Sequence, residues 1–351
     1  MRLTCLTVLS LVFLSLSGAT LAGETALRIV TLNAEILTAP GVRAGSLQKY
    51  RWDTARREQF ERVASIIEVL NPDILNLVEV TSKEGVDLLI EILHEKGLTD
   101  LRGYHVENND EFTGMDVALI SRYEPVTVEG AKIRTFYSPE HDPTWRQAFP
   151  AVSRRGDKYQ AMTSLSRNAV YYFEIDGHKM GFLGLHLKSN PSDDYSNAKR
   201  SAQAKVAQRV IRQEITGRGY LPIILGDLND YDPDVPDRDD TRDTLTTVLK
   251  DLKDFDAQQS GPELFNVAKL IPRVKDRFTS LWDRNENGVM DPFDVQTMID
   301  HILLPKEFES YVKRAFIFHT IDLSTTDHLA VVVDLMLPSK SQAPATAAVS
   351  P

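Results

Sequence analysis

The sequence predicts an α/β fold of two stacked sheets with helices outside, on three observations. Apolar, β-branched runs of about four to eight residues recur along the chain, each bounded by turn residues. Segments of helical period separate some of these runs and hairpin turns separate others, which layers helices against sheets. No shift in composition and no internal repeat divides the middle of the 351 residues, so one domain is expected over residues 23–338.

The first 22 residues have the pattern of an export signal: Arg2, an apolar core over 6–16, and small residues at Ala19, Ala22 and Gly23. That core is too short for a membrane span, so a secreted or periplasmic protein is expected. Cys5 is the only cysteine and leaves with the signal, so no disulfide is expected. Residues 27–33 alternate as a strand ending on Asn33, and 37–50 read as a loop. A helix is expected over 52–70, with Phe60, Val63, Ile66, Ile67 and Leu70 on one face. A strand over 74–80 places Glu79 near its far end, a helix follows over 82–96, and 117–120 form a strand flanked by Asp116 and Arg122.

Residues 135–158 are rich in Pro, Arg and aromatics and read as an irregular surface insertion. Residues 167–176 and 179–187 form a hairpin about Asp176-Gly177, whose second strand delivers His186 and Lys188. A long helix over 198–215 turns Lys199, Arg200, Lys205, Arg209 and Arg212 to one polar face. The run 221–225 is a buried strand, and Gly226 lets the chain turn into Asp227, Asn229 and Asp230. An acidic loop follows over 232–243. Late strands are expected over 297–304 and 328–337, and the Ser/Ala/Pro-rich residues 339–351 are expected to be disordered.

The net charge is −10 and the pI about 5.4, which argues against tight non-specific binding to polyanions. A phosphate-bearing substrate then requires a local cation. An Asp/Asn-rich turn after a strand is common and by itself decides nothing. Here, however, Asn33, Glu79, Asp116, His186, Asp227, Asn229, Asp300, Asp327 and His328 all stand at strand ends. Unpaired buried carboxylates are costly, so their recurrence at termini implies a shared rim.

The ordered motifs TLN, LVEV, MDVALIS, LHLKS, GDLND, MIDHIL and TTDH resemble the endonuclease/exonuclease/phosphatase superfamily, over roughly residues 27–337. That superfamily includes deoxyribonuclease I, abasic-site endonucleases, bacterial sphingomyelinases and inositol-polyphosphate phosphatases. The resemblance implies a four-layer α/β sandwich of two mostly antiparallel sheets, and metal-dependent phosphoester hydrolysis with Mg²⁺ or Mn²⁺. It implies that Glu79 is the principal metal ligand, with Asn33 beside it and Asp327 as a further carboxylate, either on the metal or supporting its ligands. Asp227 and Asn229 orient water and hold phosphate. It further implies that His328, held by Asp300, acts as general base or stabilises the pentacoordinate phosphate, and that His186 lies near the leaving oxygen, oriented by Asp116. Lys188, Arg122 and Arg167 are candidate phosphate contacts, and His301 is read as structural.

A second metal signal is the stretch 283–294, which fits a calcium-loop template through Asp283, Asn285, Asn287, Val289, Asp291 and Asp294, with Gly288 at the sharp turn. Asp294 and Pro292 depart from that template, and the flanks at 277–282 and 296–304 read as strands. Structural Ca²⁺ is the expectation, at a hairpin tip.

The expected activity is phosphodiester hydrolysis, with nucleic acid as the favoured substrate because LHLKS is similar to secreted bacterial nucleases. A phosphomonoesterase, or a sphingomyelinase-like phospholipid phosphodiesterase, is the alternative. A calcium-binding interaction domain without catalysis is a third reading, disfavoured by the intact polar set. No protein partner is evident, and a monomer is expected.

Overall fold

The computed structural model describes residues 23–43, 45–46, 56–139, 142–191, 193–238, 246–256, 258–285, 291, 293–319 and 325–340. The expected signal, helix positions 52–55, most of the tail, Asn287 and Val289 lie outside these residues. The elements are β1 (Glu24–Leu37), α1 (Arg57–Leu70), β2 (Ile74–Val80), α2 (Lys83–Glu95), β3 (Arg102–His105), β4 (Asp116–Ser121), β5 (Ile133–Arg134), β6 (Gln147–Val152), β7 (Lys158–Thr163), β8 (Asn168–Ile175) and β9 (His178–His186). There follow α3 (Asp194–Val210), β10 (Leu221–Asp227), α4 (Val248–Lys253), β11 (Leu264–Asn266), β12 (Ser280–Trp282), β13 (Val295–Thr297), β14 (Asp300–Pro305), β15 (Val312–Phe318) and β16 (Ala330–Pro338).

Two six-stranded sheets carry the fold, in the orders β15-β16-β1-β2-β4-β3 and β11-β14-β10-β9-β8-β5. Only β1–β2 and β9–β10 among their neighbours run parallel. Three apolar cores define four layers, as the resemblance implies. Ile29, Val117, Tyr171, Ile223 and Val333 meet between the sheets. Val30, Leu75 and Leu77 pack the first sheet against Phe60, Ile67 and Leu89 of α1 and α2. Val170, Leu183 and Ile224 pack the second against Val206 and Val210 of α3 and Leu249 of α4. Each central strand thus buries both faces, which is why these strands read as apolar runs. Ser82 caps α2 by accepting from Gly85 N, and Asn71 ends α1 at φ 48°.

Three expectations need correction. Residues 147–163 form a β6–β7 hairpin, not an irregular insertion. Its Phe149 and Ala151 pack on Ala202 of α3, an apolar contact that Pro150 and Gly156 mask in the sequence. Arg200 is not on a polar face: it is fully buried against Asp230, so Asp230 is more than a turn residue. The 297–304 run divides between β13 and β14. The alternating edge strand β15, pairing with β16, goes unread in the sequence.

Candidate active site

The ends of β1, β2, β9 and β10 and the starts of β4 and β14 lie on one rim, because Asn33 pairs with Val78, Val80 with Asp116, and Asp227 with both His186 and Asp300. Two irregularities turn side chains inward. Leu75, Leu77 and Val80 all join the outer core, a break of strand parity that needs one extra residue. That residue is Glu79, at φ 63°, where the β2–β4 register shifts. Opposite it β1 bulges through Glu35 (φ 48°) and Ile36 (φ 57°), and Ile36 N donates to Glu79 Oε2 at 3.1 Å. Left-handed backbone at a β-branched residue is strained, and here it aims Glu79 at the rim.

Asn33 Nδ2 donates to Glu79 Oε1 (3.1 Å) and Asp227 Oδ2 (3.2 Å), joining the two sheets. In this orientation it offers the rim a donor, while its Oδ1 accepts from Glu35 N. His186 Nε2 lies 3.6 Å from both Glu79 Oε1 and Asp227 Oδ2. Asp227 Oδ1 accepts from Asn229 N at 2.9 Å; Asn229, at φ 50°, anchors its amide on Leu187 O. Burial, with Asp300 and Glu79 nearby, pushes Asp227 up to about 7. His328 Nδ1 meets Asp300 Oδ2 at 2.7 Å. Burial pulls His328 down, but Asp300, Asp227 and Asp327 outweigh it and hold the imidazole well above its ordinary value. Burial and the Arg167 charge hold His186 well below, so it is neutral.

Six expected residues therefore converge: Asn33, Glu79, His186, Asp227, Asp300 and His328. Asp327 stands at the edge, half exposed, with Oδ1 3.9 Å from His328 Nε2. Asp116 does not orient His186. Its carboxylate is committed to His105 Nε2 (2.7 Å) and Asn108 N (2.8 Å), and His105 sits on the edge strand β3. Arg167 takes that place instead, with Nη1 3.1 and 3.2 Å from the two ring nitrogens of His186, the placement of a cation over the ring face. Arg122 is corrected: it ends β4 away from the rim, tied to Asp100, Asn71 O and Pro72 O. Lys188 is partly buried, its Nζ on Ser189. His301 is buried between Asp230 O and Asn266 Nδ2.

Sequence reasoning missed Arg200. Its Nε donates to Asp230 Oδ2 (2.7 Å) and its Nη1 to Lys188 O (2.9 Å), so it clamps the loop after His186 to the loop bearing Asp227 and Asn229. The one signal in the sequence is an arginine amid alanines.

The donors suit a hard cation. Single ligand atoms of Glu79, His186 and Asp227, and of Asp227, Asp300 and His328, lie within 4.8 Å of one another. Asp300 Oδ1 is buried without a hydrogen-bond partner, and crowded carboxylates of this kind are relieved by a divalent charge. At the 283–294 hairpin, Asn285 Nδ2 donates to Asp291 Oδ2 (2.9 Å), and Asp294 accepts from Arg284 N and Asp291 N. The flanking strands β12 and β13 pair antiparallel, and the expected tip at 286–290 lies outside the described residues.

A sandwich with a carboxylate–imidazole rim defines a phosphoesterase-like class. The model of the Endonuclease/Exonuclease/phosphatase family matches residues 42–328, and the chain belongs to that family, whose members are phosphoester hydrolases. Among solved structures, an endonuclease/exonuclease/phosphatase family protein from Leptotrichia buccalis shares 15% identity over 88% of this chain and 99% of its own, with a TM-score of 0.54. Truncated TDP2 from Caenorhabditis elegans shares 15% over 89% and 98%, at 0.52. D. rerio TDP2, complexed with a single-strand DNA product, shares 15% over 88% and 98%, at 0.51. These likenesses are of fold. The comparison with curated proteins finds no match.

Proposed function

We propose that the chain is an exported, Mg²⁺- or Mn²⁺-dependent phosphodiesterase acting on nucleic acid. The observation that carries the reading is the convergence of Asn33, Glu79, His186, Asp227 and the His328–Asp300 pair on one rim, where single ligand atoms of Glu79, His186 and Asp227 lie within 4.8 Å of one another. A phosphodiester needs an acceptor for the proton of water, neutralised non-bridging oxygens and support for the departing alkoxide. Glu79 and His186 would hold the metal, which would supply Lewis acidity toward phosphate oxygens when bound. Asp227, with its raised affinity for a proton, accepts one from water fixed by Asn229. His328, kept protonated by Asp300, donates to a phosphate oxygen. Burial, with Arg167 against the ring, disfavours protonation of His186, and Arg167 offers its remaining N–H groups to phosphate. Export rests on the signal pattern of residues 1–22.

The solved relative bound to a single-strand DNA product supports nucleic acid over a phosphomonoester or sphingomyelin. A substrate panel tests the reading: plasmid DNA, RNA, sphingomyelin and a chromogenic phosphomonoester, each with Mg²⁺, Mn²⁺ or EDTA. Metal-dependent cleavage of DNA or RNA is expected. Turnover of sphingomyelin or the monoester alone would replace the substrate assignment.

A further inference from the structure

The β6–β7 hairpin carries charge that the rim chemistry does not use. Arg154, Arg155 and Lys158 at its tip are exposed, and among the described residues their side chains have no ion-pair or hydrogen-bond partner. On a chain of net charge −10 this is a local reversal of field. One face of the ribbon packs Phe149 and Ala151 on α3. The other is open and presents Pro150, Val152, Lys158, Gln160 and Met162, because directly paired residues share a face. Tyr159, paired with Ala151, lies at the exposed margin of the packed face, and it and Tyr195 of α3 are 48% and 42% exposed.

The hairpin is aimed at the rim. Its base is tied to the last turn of α3, where Arg209 donates to Gln147 Oε1 and Arg146 O. Toward the tip, Phe149 packs edge-on against Tyr195 in the first turn of α3, with ring centroids 5.4 Å apart. The tip therefore lies past the helix end that residues 187–193 join to His186. The strand leaving it, β7, reaches Arg167 four residues on, against the His186 ring. Burial lowers Lys188 and Lys199, and both stand close enough to Arg167 for its charge to lower them further. Arg167, Lys188 and Lys199 thus gather cations on the side of the rim toward which the ribbon runs.

We propose that the β6–β7 hairpin is a binding arm for a single-stranded nucleic-acid segment flanking the scissile phosphate, with Arg154, Arg155 and Lys158 on phosphates and Tyr159 against a base. The proposal rests on the nuclease reading and names how that site extends. Unpaired cations interleaved with exposed rings suit a strand whose phosphates and base faces alternate. A lipid surface would call for larger apolar anchors on the ribbon than Val152 and Met162.

The test titrates a fluorescein-labelled oligothymidylate, in EDTA, into wild-type protein and into the combined Arg154→Ala, Arg155→Ala and Lys158→Ala variant over a range of salt. Losing three phosphate contacts lowers the slope of log affinity against log salt by about 2, a deficit that widens about 100-fold from molar to tenth-molar salt. Tyr159→Ala weakens binding by about 5- to 150-fold and leaves the slope unchanged. Melting temperature and turnover of a small chromogenic diester, too short to reach the hairpin, report an intact fold and centre. Unchanged oligonucleotide affinity and slope in the triple variant overturn the arm. So does a loss seen on phosphatidylglycerol vesicles alone, which would make the hairpin a membrane contact. If the wild type binds oligonucleotide with the expected slope but cleaves none, the nuclease reading fails and the arm stands. If it cleaves DNA while the triple variant binds as wild type, the arm alone fails.

Discussion

Replacing Arg200 with methionine removes a guanidinium that has no solvent exposure and bonds Asp230, Lys188 O and Asn197. Methionine keeps most of the aliphatic volume, so the main loss is electrostatic. Breaking a buried pair by deleting one partner costs about 3–5 kcal/mol, because the remaining charge is stranded. Asp230 keeps two donors, Tyr231 N and Thr246 Oγ1, which places the cost at the lower end of that range. With unfolding entropy of about 2.1 cal/mol/K per residue over roughly 300 folded residues, about 3 kcal/mol lowers the melting temperature by about 5 °C. Calorimetry measures this directly. The double variant Arg200→Met/Asp230→Leu should recover most of the loss, since two apolar side chains replace the pair without an orphaned charge. Activity of the single variant should fall as well, because the clamp sets His186 against Asn229. A melting temperature within a degree of wild type, with wild-type turnover, refutes this reasoning.

Three other outcomes are expected. Asp300→Asn keeps the shape of the side chain but removes the charge that holds His328 protonated, so turnover should fall by about 10²–10⁴. The folded pKa of His328 is raised, so its stabilisation is complete below the unfolded value near 6.5 and is lost as pH rises through the folded value; melting against pH should show this decline in wild type and flatten in Asp300→Asn. Gly226→Ala should reduce both stability and activity, since Gly226 has φ 129° and an added Cβ would sit 2.0 Å from Leu185 O; wild-type melting would contradict it. If the 283–294 loop binds calcium, Asp283→Ala lowers the melting temperature only in Ca²⁺, and equal wild-type melting with and without Ca²⁺ removes that assignment.

The layers were legible because each central strand buries both faces and so reads as an apolar run between turns. Asn33, Glu79, Asp227 and Asp300 were legible for the converse reason: a polar side chain ending such a run has few places to go but the rim. What escaped depended on partners distant in sequence. Asp116 looks like a rim carboxylate until His105 arrives on a four-residue edge strand with no apolar signature. Arg122 lies at the wrong end of a six-residue strand, which only the direction of β4 decides. Arg200 sits among alanines on α3, and its burial depends on Asp230 thirty residues away. The parity break at Glu79 and the bulge at Ile36 are not written in local propensity, since both arise where two strands must converge on one side chain.

The central claim is that the rim is a metal-dependent hydrolytic centre, and Asp227→Asn tests it most directly. Hydrolysis of a phosphodiester is measured for wild type and variant with Mg²⁺, Mn²⁺ or EDTA, alongside the melting temperature. The account predicts turnover in wild type that EDTA abolishes, a loss of at least about 10²-fold in the variant, and unchanged or higher melting, because a desolvated carboxylate crowded by Asp300 and Glu79 has been neutralised. Metal-independent hydrolysis, or an Asp227→Asn protein as active as wild type, would contradict it.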